Sequence, residues 1–349
     1  MDAAFWKAKK VLITGHTGFK GSWFALWLQS LGAQVVGYSL PASTSPNLFE
    51  LASLEKNMQS HIGDVRDFDS LYQLIENEKP EIVFHLAAQA LVRRSYVNPI
   101  ETYSTNVMGT VNLLEALRQV GSARAAVIVT SDKCYENREW SWGYREVEPM
   151  GGHDPYSSSK ACAEIVTAAY RHSYFENQPL CIASARAGNV IGGGDWAEDR
   201  LIPDFMRAIM TGDSLNVRNP QAVRPWQHVL EPLSGYLMLA ERLWVEGNAF
   251  TGGWNFGPDD QDAKPVEWIA NALTRLWGKG SNWKLDLQKN HPHEANYLKL
   301  DISKARSKLR WRPKWSLETA LSLTVAWYKA YHEKNDIRDI MLKQIADYN

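Results

Sequence analysis

The chain of 349 residues is poor in cysteine, with only Cys134, Cys162 and Cys181. Three thiols cannot build a disulfide framework, and their spacing fits no zinc motif. Reduced thiols in a cytoplasmic protein are the expectation. An excess of one charge is also missing. Lys plus Arg number 38 and Asp plus Glu 39, a formal net charge of −1, which argues against nucleic acid or a membrane surface as a partner. No apolar run approaches the roughly 18–20 residues needed to span a bilayer. None precedes the first strand as the core of a signal peptide would. Internal repeats and low-complexity segments are absent. His291-Pro292-His293 has no acid or cysteine at ligand spacing, so exposed loop histidines and no metal are expected.

What is present is a chain 45% hydrophobic with 15 tryptophans, enough for a large core and for a second, smaller lobe. Short apolar runs at Val11–Ile13, Gln34–Ser39, Glu81–Leu86, Ala125–Thr130 and Leu180–Ala185 read as buried strands. Between them Ser22–Leu31, Phe68–Glu78, Val107–Gln119 and Tyr156–Tyr170 carry helical spacing, and Gly32 stops the first. Strands alternating with helices predict an α/β, doubly wound parallel sheet of Rossmann type. From Gly192 the pattern is irregular, with helices expected near Leu201–Thr211, Pro232–Glu246 and Pro313–Lys334. The expected division is a nucleotide-binding domain at 1–186, with returns at about 227–256 and 316–335. A mixed α/β lobe would take about 187–226 and 257–315.

Gly15, Gly18 and Gly21 follow the first strand and open the first helix with the spacing G-x-x-G-x-x-G. Backbone N–H groups at a helix start approach a pyrophosphate closely only where no Cβ intervenes. The strand–turn–helix context favours a dinucleotide over a bare tight turn. The second strand ends Val35-Val36-Gly37-Tyr38-Ser39, with neither an acid for the ribose nor an arginine for a 2′-phosphate. Residue types there leave NAD and NADP both open. Asp64 reads equally as an adenine acceptor or as a helix N-cap.

Tyr156 and Lys160 stand four apart at a helix start, on one face. A phenol with an ordinary pKa near 10 is a poor base at neutral pH, and a neighbouring ammonium favours its anion. Such a tyrosine takes a proton from a sugar hydroxyl while hydride leaves for a nicotinamide.

The glycine turn, His85-Leu86-Ala87-Ala88, Asn106, Ser131 after a strand and Y-x-x-x-K together resemble the extended short-chain dehydrogenase/reductases over most of the chain. His16–Leu28, Thr130–Asn137 and Arg224–Pro232 narrow the resemblance to the nucleotide-sugar 4,6-dehydratases that act on CDP-glucose. The resemblance implies NAD as cofactor and CDP-glucose as substrate. The implied reaction is a redox-neutral elimination: C4 is oxidised, water is lost across C5–C6, and the hydride returns to C6. Its product would feed deoxysugars of surface polysaccharides such as O-antigen. The resemblance assigns Tyr156 as the C4 base, Lys160 as its electrostatic partner, Ser131 as a hydrogen bond to the C4 oxygen and Asp132 as the acid for the C6 hydroxyl, which requires a raised pKa. Lys133 stands where the dTDP-sugar relatives carry a glutamate base. It serves either as a neutral base or as a cation facing the enolate. The cofactor set implied is Gly15, Thr17, Gly18, Phe19, Gly21, Asp64, Val65, Leu86, Ala87, Ala88, Tyr156 and Lys160. For the substrate it is Asn189 and Arg224 on the diphosphate, with Gln89, His228 and Tyr297 beside them. A homodimer or larger homo-oligomer is implied through the helices carrying Asn106 and Tyr156. A 4-epimerase or reductase on the same fold is the alternative, and it would need neither Asp132 nor Lys133. A catalytically silent dinucleotide-binding regulator would need a broken site, yet Ser131, Tyr156 and Lys160 are all present.

Overall fold

The computed structural model describes residues 2–278, 280–286 and 297–349; His291-Pro292-His293 lies outside them. Its central sheet has seven strands, all parallel: β1 (Lys10–Thr14), β2 (Gln34–Ser39), β3 (Gln59–Ile62), β4 (Ile82–His85), β5 (Ala125–Val129), β6 (Cys181–Ala187) and β7 (Gly252–Phe256). Their order across the sheet is β7-β6-β5-β4-β1-β2-β3. Every residue of β4, β5 and β6 is buried, because helices cover both faces and no side is left for polar alternation. Successive side chains still point to opposite faces. Val11 and Ile13 enter one core and Leu12 the other; Val127 enters the first and Ala126 and Ile128 the second.

The longer helices are α1 (Phe19–Ser30), α2 (Phe68–Glu78), α3 (Gly109–Val120), α4 (Pro155–Tyr170), α5 (Leu201–Thr211), α6 (Leu230–Glu246), α7 (Val266–Trp277), α8 (Leu317–His332) and α9 (Ile337–Tyr348). Trp23, Phe24 and Trp27 of α1 and Leu233 and Leu237 of α6 fill the first core, whereas Leu71 and Ile75 of α2 and Leu113 and Leu117 of α3 fill the second. Side-chain caps fix several starts: Asp67 accepts from Ser70 N, Asp154 from Ser157 N, and Ser316 from Thr319 N. No described helix is long and apolar enough to cross a membrane.

Three differences from the sequence reading matter. The first helix begins at Phe19, directly on the glycine turn, and not at Ser22. The cap of α2 is Asp67, so Asp64 is not an N-cap. The stretch after Gly192, read as irregular, contributes β7 to the main sheet and three small strand pairs: Val190–Ile191 with Gln227–His228, Val223–Pro225 with Ala263–Pro265, and Leu215–Val217 with Trp283–Leu285. These strands run only two to five residues, too short for a period to register.

The carboxyl-terminal segment is tied down by one buried carboxylate. Glu231 of α6 is fully buried. It accepts from Lys314 N (3.0 Å), Trp315 N (2.8 Å) and the Tyr348 hydroxyl (2.6 Å). Glu231→Ala removes the shared acceptor of the buried Tyr348 hydroxyl and the part-buried Lys314 and Trp315 amides, and a buried donor left unsatisfied costs about 1–3 kcal/mol. A melting temperature several degrees lower in a thermal melt is the expected outcome.

Candidate active site

Strand order reverses between β1 and β4, and at such a switch point the loops leave the carboxyl edge in opposite directions and open a crevice. Here the crevice is a cleft of about 480 Å³. Its floor is the glycine turn. Gly15 has φ +79°, and a Cβ there would stand 2.7 Å from Ala87 N; a Cβ on Gly21 would stand 2.1 Å from Gly15 O. Both glycines are demanded by the protein's own backbone. Gly18 differs: a Cβ there would meet only Gly15 O, at 3.4 Å, and the residue lines the open cleft together with Phe19 and Gly21. The turn therefore leaves space at the amino end of α1, where free N–H groups favour an anion.

Thr17 secures the turn to the end of β2, its hydroxyl lying 2.9 Å from Ser39 Oγ and donating to Leu40 O at 2.9 Å. Asp64 accepts from Arg66 N and the Arg66 guanidinium, and the guanidinium holds its carboxyl below the usual carboxylate range. Val65 is buried against Gly109 at the start of α3. Leu86 and Ala88 line the cleft, and Ala87 N donates to Thr14 Oγ1.

Past β5, Ser131 caps a short turn over Asp132–Cys134. Its hydroxyl donates to Asp132 Oδ1 at 3.0 Å and accepts from Lys133 N at 3.2 Å. Asp132 is fully buried, and its Oδ2 has no partner among the described residues. A Cβ on Gly188 would fall 1.9 Å from that oxygen, so only glycine fits beside it. Lys133 lines the cleft with no hydrogen bond or ion pair to its ammonium among the described residues. Tyr156 and Lys160 reach the same cleft from the first turns of α4.

The expected pairing of the Lys160 ammonium with the phenol is not what the geometry gives. Lys160 Nζ donates to Val129 O at 3.2 Å. Burial pushes the Tyr156 phenol up to about 12, the Ser131 hydroxyl opposes the rise, Asp132 adds to it, and Arg200 opposes it. Lys160 is lowered to about 8, chiefly by burial, with Glu164 and Cys134 acting against the fall.

Asn189 and Arg224 line the cleft as expected. Asn189 holds a left-handed conformation, φ +37°, with a buried Oδ1 that has no partner among the described residues, a strained backbone of the kind found where a side chain must be aimed. Three other expected substrate residues are not brought to the cleft wall. The Gln89 side chain bonds Thr102 Oγ1 and Leu91. Its backbone is gripped on both sides by Asn106, which also donates to Ser159 of α4. Gln89 thus fixes the loop after β4. His228 is fully buried between Trp23 and Trp315. Tyr297 bridges Val223 and presents its carbonyl to Asn137; its neighbour Leu298 lines the cleft.

Two cleft residues escaped the sequence reading. Lys20, inside the glycine turn, is lowered to about 7 by burial, then by Arg200 and Lys160, with Asp132 opposing. Arg200 is held by Asp195 at 2.8 Å. The last x of a glycine motif carries no signal by itself, and Arg200 lies in a stretch without periodicity. In all, seven lysines and arginines line the cleft against five aspartates, a local cationic surplus that the balanced composition hides. Among the described residues no group of three or more His, Cys, Asp or Glu is placed to hold a metal.

The family model described as GDP-mannose 4,6 dehydratase matches residues 12–324. A CDP-glucose 4,6-dehydratase of Salmonella typhimurium is 58% identical, across 100% of this chain and 98% of that protein. A dTDP-glucose 4,6-dehydratase of Xanthomonas campestris pv. campestris is 31% identical across 91% and 92%. Among solved structures, dTDP-glucose 4,6-dehydratase from Bacillus anthracis in complex with NAD superposes with a TM-score of 0.77 at 25% identity, covering 94% of this chain and 99% of that one. A UDP-glucose 4-epimerase from Stenotrophomonas maltophila with bound NAD gives 0.81 at 20% identity, over 93% and 99%, a likeness of fold. With its seven-stranded parallel sheet, its glycine turn at the switch point and this match along nearly its whole length, the chain belongs to the GDP-mannose 4,6 dehydratase family of nucleotide-sugar dehydratases.

Proposed function

We propose that the chain is a lyase that converts CDP-glucose to CDP-4-keto-6-deoxyglucose with bound NAD. The observation that carries the reading is Asp132, buried beside Ser131 at the cleft with one carboxylate oxygen unclaimed. A C4 epimerase or reductase has no use for an acid at that place; an elimination across C5–C6 does. The 58% identity to the Salmonella typhimurium CDP-glucose 4,6-dehydratase supports the choice of nucleotide.

The residues fit a dinucleotide, because Gly18 leaves open the space that a Cβ would narrow and the N–H groups of the α1 start face it. Gly15, Gly18, Phe19 and Gly21 would hold the pyrophosphate and Asp64 and Val65 the adenine. Leu86, Ala87 and Ala88 would line the nicotinamide side, and Tyr156 and Lys160 would hold the ribose. When bound, NAD supplies the hydride sink at C4 and the hydride source at C6. Tyr156 takes the proton of the C4 hydroxyl. Ser131 steadies the C4 oxygen, and Arg200 favours the phenolate that burial opposes. Lys133 in its neutral form takes the C5 proton, and the ammonium so formed faces the negative charge of the enolate. Asp132 delivers a proton to the C6 hydroxyl as it departs. Asn189 and Arg224 hold the substrate diphosphate, and the lobe of about 187–226 and 257–315 carries the nucleotide. Val97, Ile100, Met108 and Ile165 are exposed on the segments around Asn106 and on α4, an apolar face that supports a homodimer.

Four outcomes follow from this reading. Deuterium placed at C4 of the glucosyl unit of CDP-glucose is expected at C6 of the product by NMR; label left at C4 or lost to solvent would overturn the reaction. Tyr156→Phe is expected to lower kcat by about 10²–10⁴-fold while NAD still binds in a fluorescence titration. Gly18→Ala is expected to keep the wild-type melting temperature yet weaken NAD by about tenfold or more, 1.4 kcal/mol. Gly15→Ala is expected to lower both, because its Cβ meets backbone.

A further inference from the structure

Behind the cleft lies a polar network that the reaction itself does not use. Glu164 stands one turn beyond Lys160 on α4, and both it and Arg186 of β6 are buried. The Glu164 carboxylate accepts from Thr130 Oγ1 at 2.5 Å, Ser184 Oγ at 2.6 Å and Arg186 Nη2 at 2.7 Å. Thr130 is the residue immediately before Ser131. Arg186 Nη1 donates onward to the Tyr135 hydroxyl at 2.7 Å and to Glu146 O at 3.1 Å. Tyr135 donates to Asn255 Oδ1 at 2.7 Å, and Asn255 Nδ2 reaches Tyr144 O and Asp301 O. One connected set of bonds thus runs from the edge of the reacting segment, through α4 and β6, to β7 and the backbone at Asp301.

A buried ion pair is a poor source of stability, because desolvation offsets the attraction. Packed apolar side chains would close the same space. Its retention beside the cleft calls for another account, and the bonds supply one. We propose that Glu164, held by Arg186, is a positioning residue: through Thr130 it sets the place of Ser131, and one turn along α4 it sets a negative charge beside Lys160. The proposal rests on the dehydratase reading for the roles of Ser131 and Lys160, and on the observed bonds for the rest.

The groups facing Lys160 are few. Lys20 from α1 and His85 from β4 are cationic or neutral neighbours, Cys134 lies after β5, and Glu164 is the carboxylate on its own helix. His85 is neutral, lowered to about 3 by burial and then by Lys160. Glu164 in turn faces Arg186, Arg171 and Cys134. Burial pushes the Glu164 carboxyl up, yet Arg186, Ser184 and Thr130 together hold it below its ordinary value, so it is ionised wherever Lys160 titrates. The sign is then fixed: removing the negative charge lets Lys160 lose its proton at lower pH.

The test reads Lys160 directly by ¹³Cε NMR of lysine-labelled full-length protein without substrate, with the resonance assigned through Lys160→Met. The midpoint, near 8 in the unaltered chain, is expected to fall by about one pH unit in Glu164→Gln. Glu164→Asp, which keeps the charge, is expected to restore it. The alkaline limb of kcat for CDP-glucose should move with it. Glu164→Gln deprives Arg186 of its counter-charge, so the double variant Glu164→Gln/Arg186→Met, which removes both charges, is measured alongside. Thr130→Val keeps both charges and cuts only the link to Ser131; it is expected to lower kcat by about tenfold or more, with KM within about twofold and the Lys160 midpoint unmoved. An unchanged midpoint in the folded Glu164→Gln or Glu164→Gln/Arg186→Met variant, or wild-type kcat in Thr130→Val, overturns the proposal. The titration needs no turnover, so failure of the unaltered chain to convert CDP-glucose would sink the dehydratase reading separately.

Discussion

The structure depends on one close approach of backbone to backbone. Gly15 turns the chain off β1 so tightly that the residue after it packs on β2 and the start of α1 doubles back over Gly15 itself. No side chain fits between Gly21 and Gly15 O or between Gly15 and Ala87. That contact locks α1 against the sheet at the switch point and aims its unpaired N–H groups into the cleft. The loops after β4, β5 and β6 then close on the same space. His85 ties β4 to β1 through Thr14 Oγ1 at 2.7 Å, and Asn106 ties the β4 loop to α4. The cleft is thus positioned by rigid sheet ends, which is the support that a precisely arranged set of proton donors and acceptors requires.

Within that frame the electrostatics is one of burial more than of simple pairing. Tyr156 and Lys160 are both pushed toward their neutral forms by loss of water. Nearby groups of opposite effect, Ser131 and Arg200 for the phenol and Glu164 for the amine, work against the push. A cleft rich in lysine and arginine within a chain of net charge −1 keeps its surplus where an anionic substrate would sit and balances it elsewhere on the surface.

Much of this was legible in residue order, for physical reasons that can be named. The strand Gln34–Ser39 and the helices Phe68–Glu78 and Leu201–Thr211 emerge at the bounds expected, because their apolar spacing is set by burial on a sheet or along one stripe. Ser131, Asp132 and Lys133 follow the carboxyl end of β5, Tyr156 and Lys160 lie in the first turns of α4, and both segments line one cleft. What stayed hidden has a different origin. β7 reads Gly-Gly-Trp-Asn-Phe, and its glycines admit the Arg186 guanidinium beneath Gly253 in place of an apolar pattern. Gln89 and His228, read as substrate contacts, do not line the cleft, because a buried polar side chain satisfied by its own loop, or sandwiched between indoles, has the same one-letter appearance as one aimed at a substrate. The Lys20 amine and the Glu164–Arg186 pair are products of long-range packing, and no local spacing announces them.

The anchoring of Glu231 also bears on how the chain comes to be folded. Its hydroxyl partner, Tyr348, lies 117 residues downstream, and its two amide donors lie 83 and 84 residues downstream. During synthesis at about 5–20 residues per second, α6 is therefore made on the order of ten seconds before the groups that neutralise its carboxylate. Over that interval the Rossmann sheet can assemble, but the face of α6 that receives Trp311 and Trp315 stays uncovered. Until they arrive, that face is open to contact with neighbouring nascent chains on a polysome.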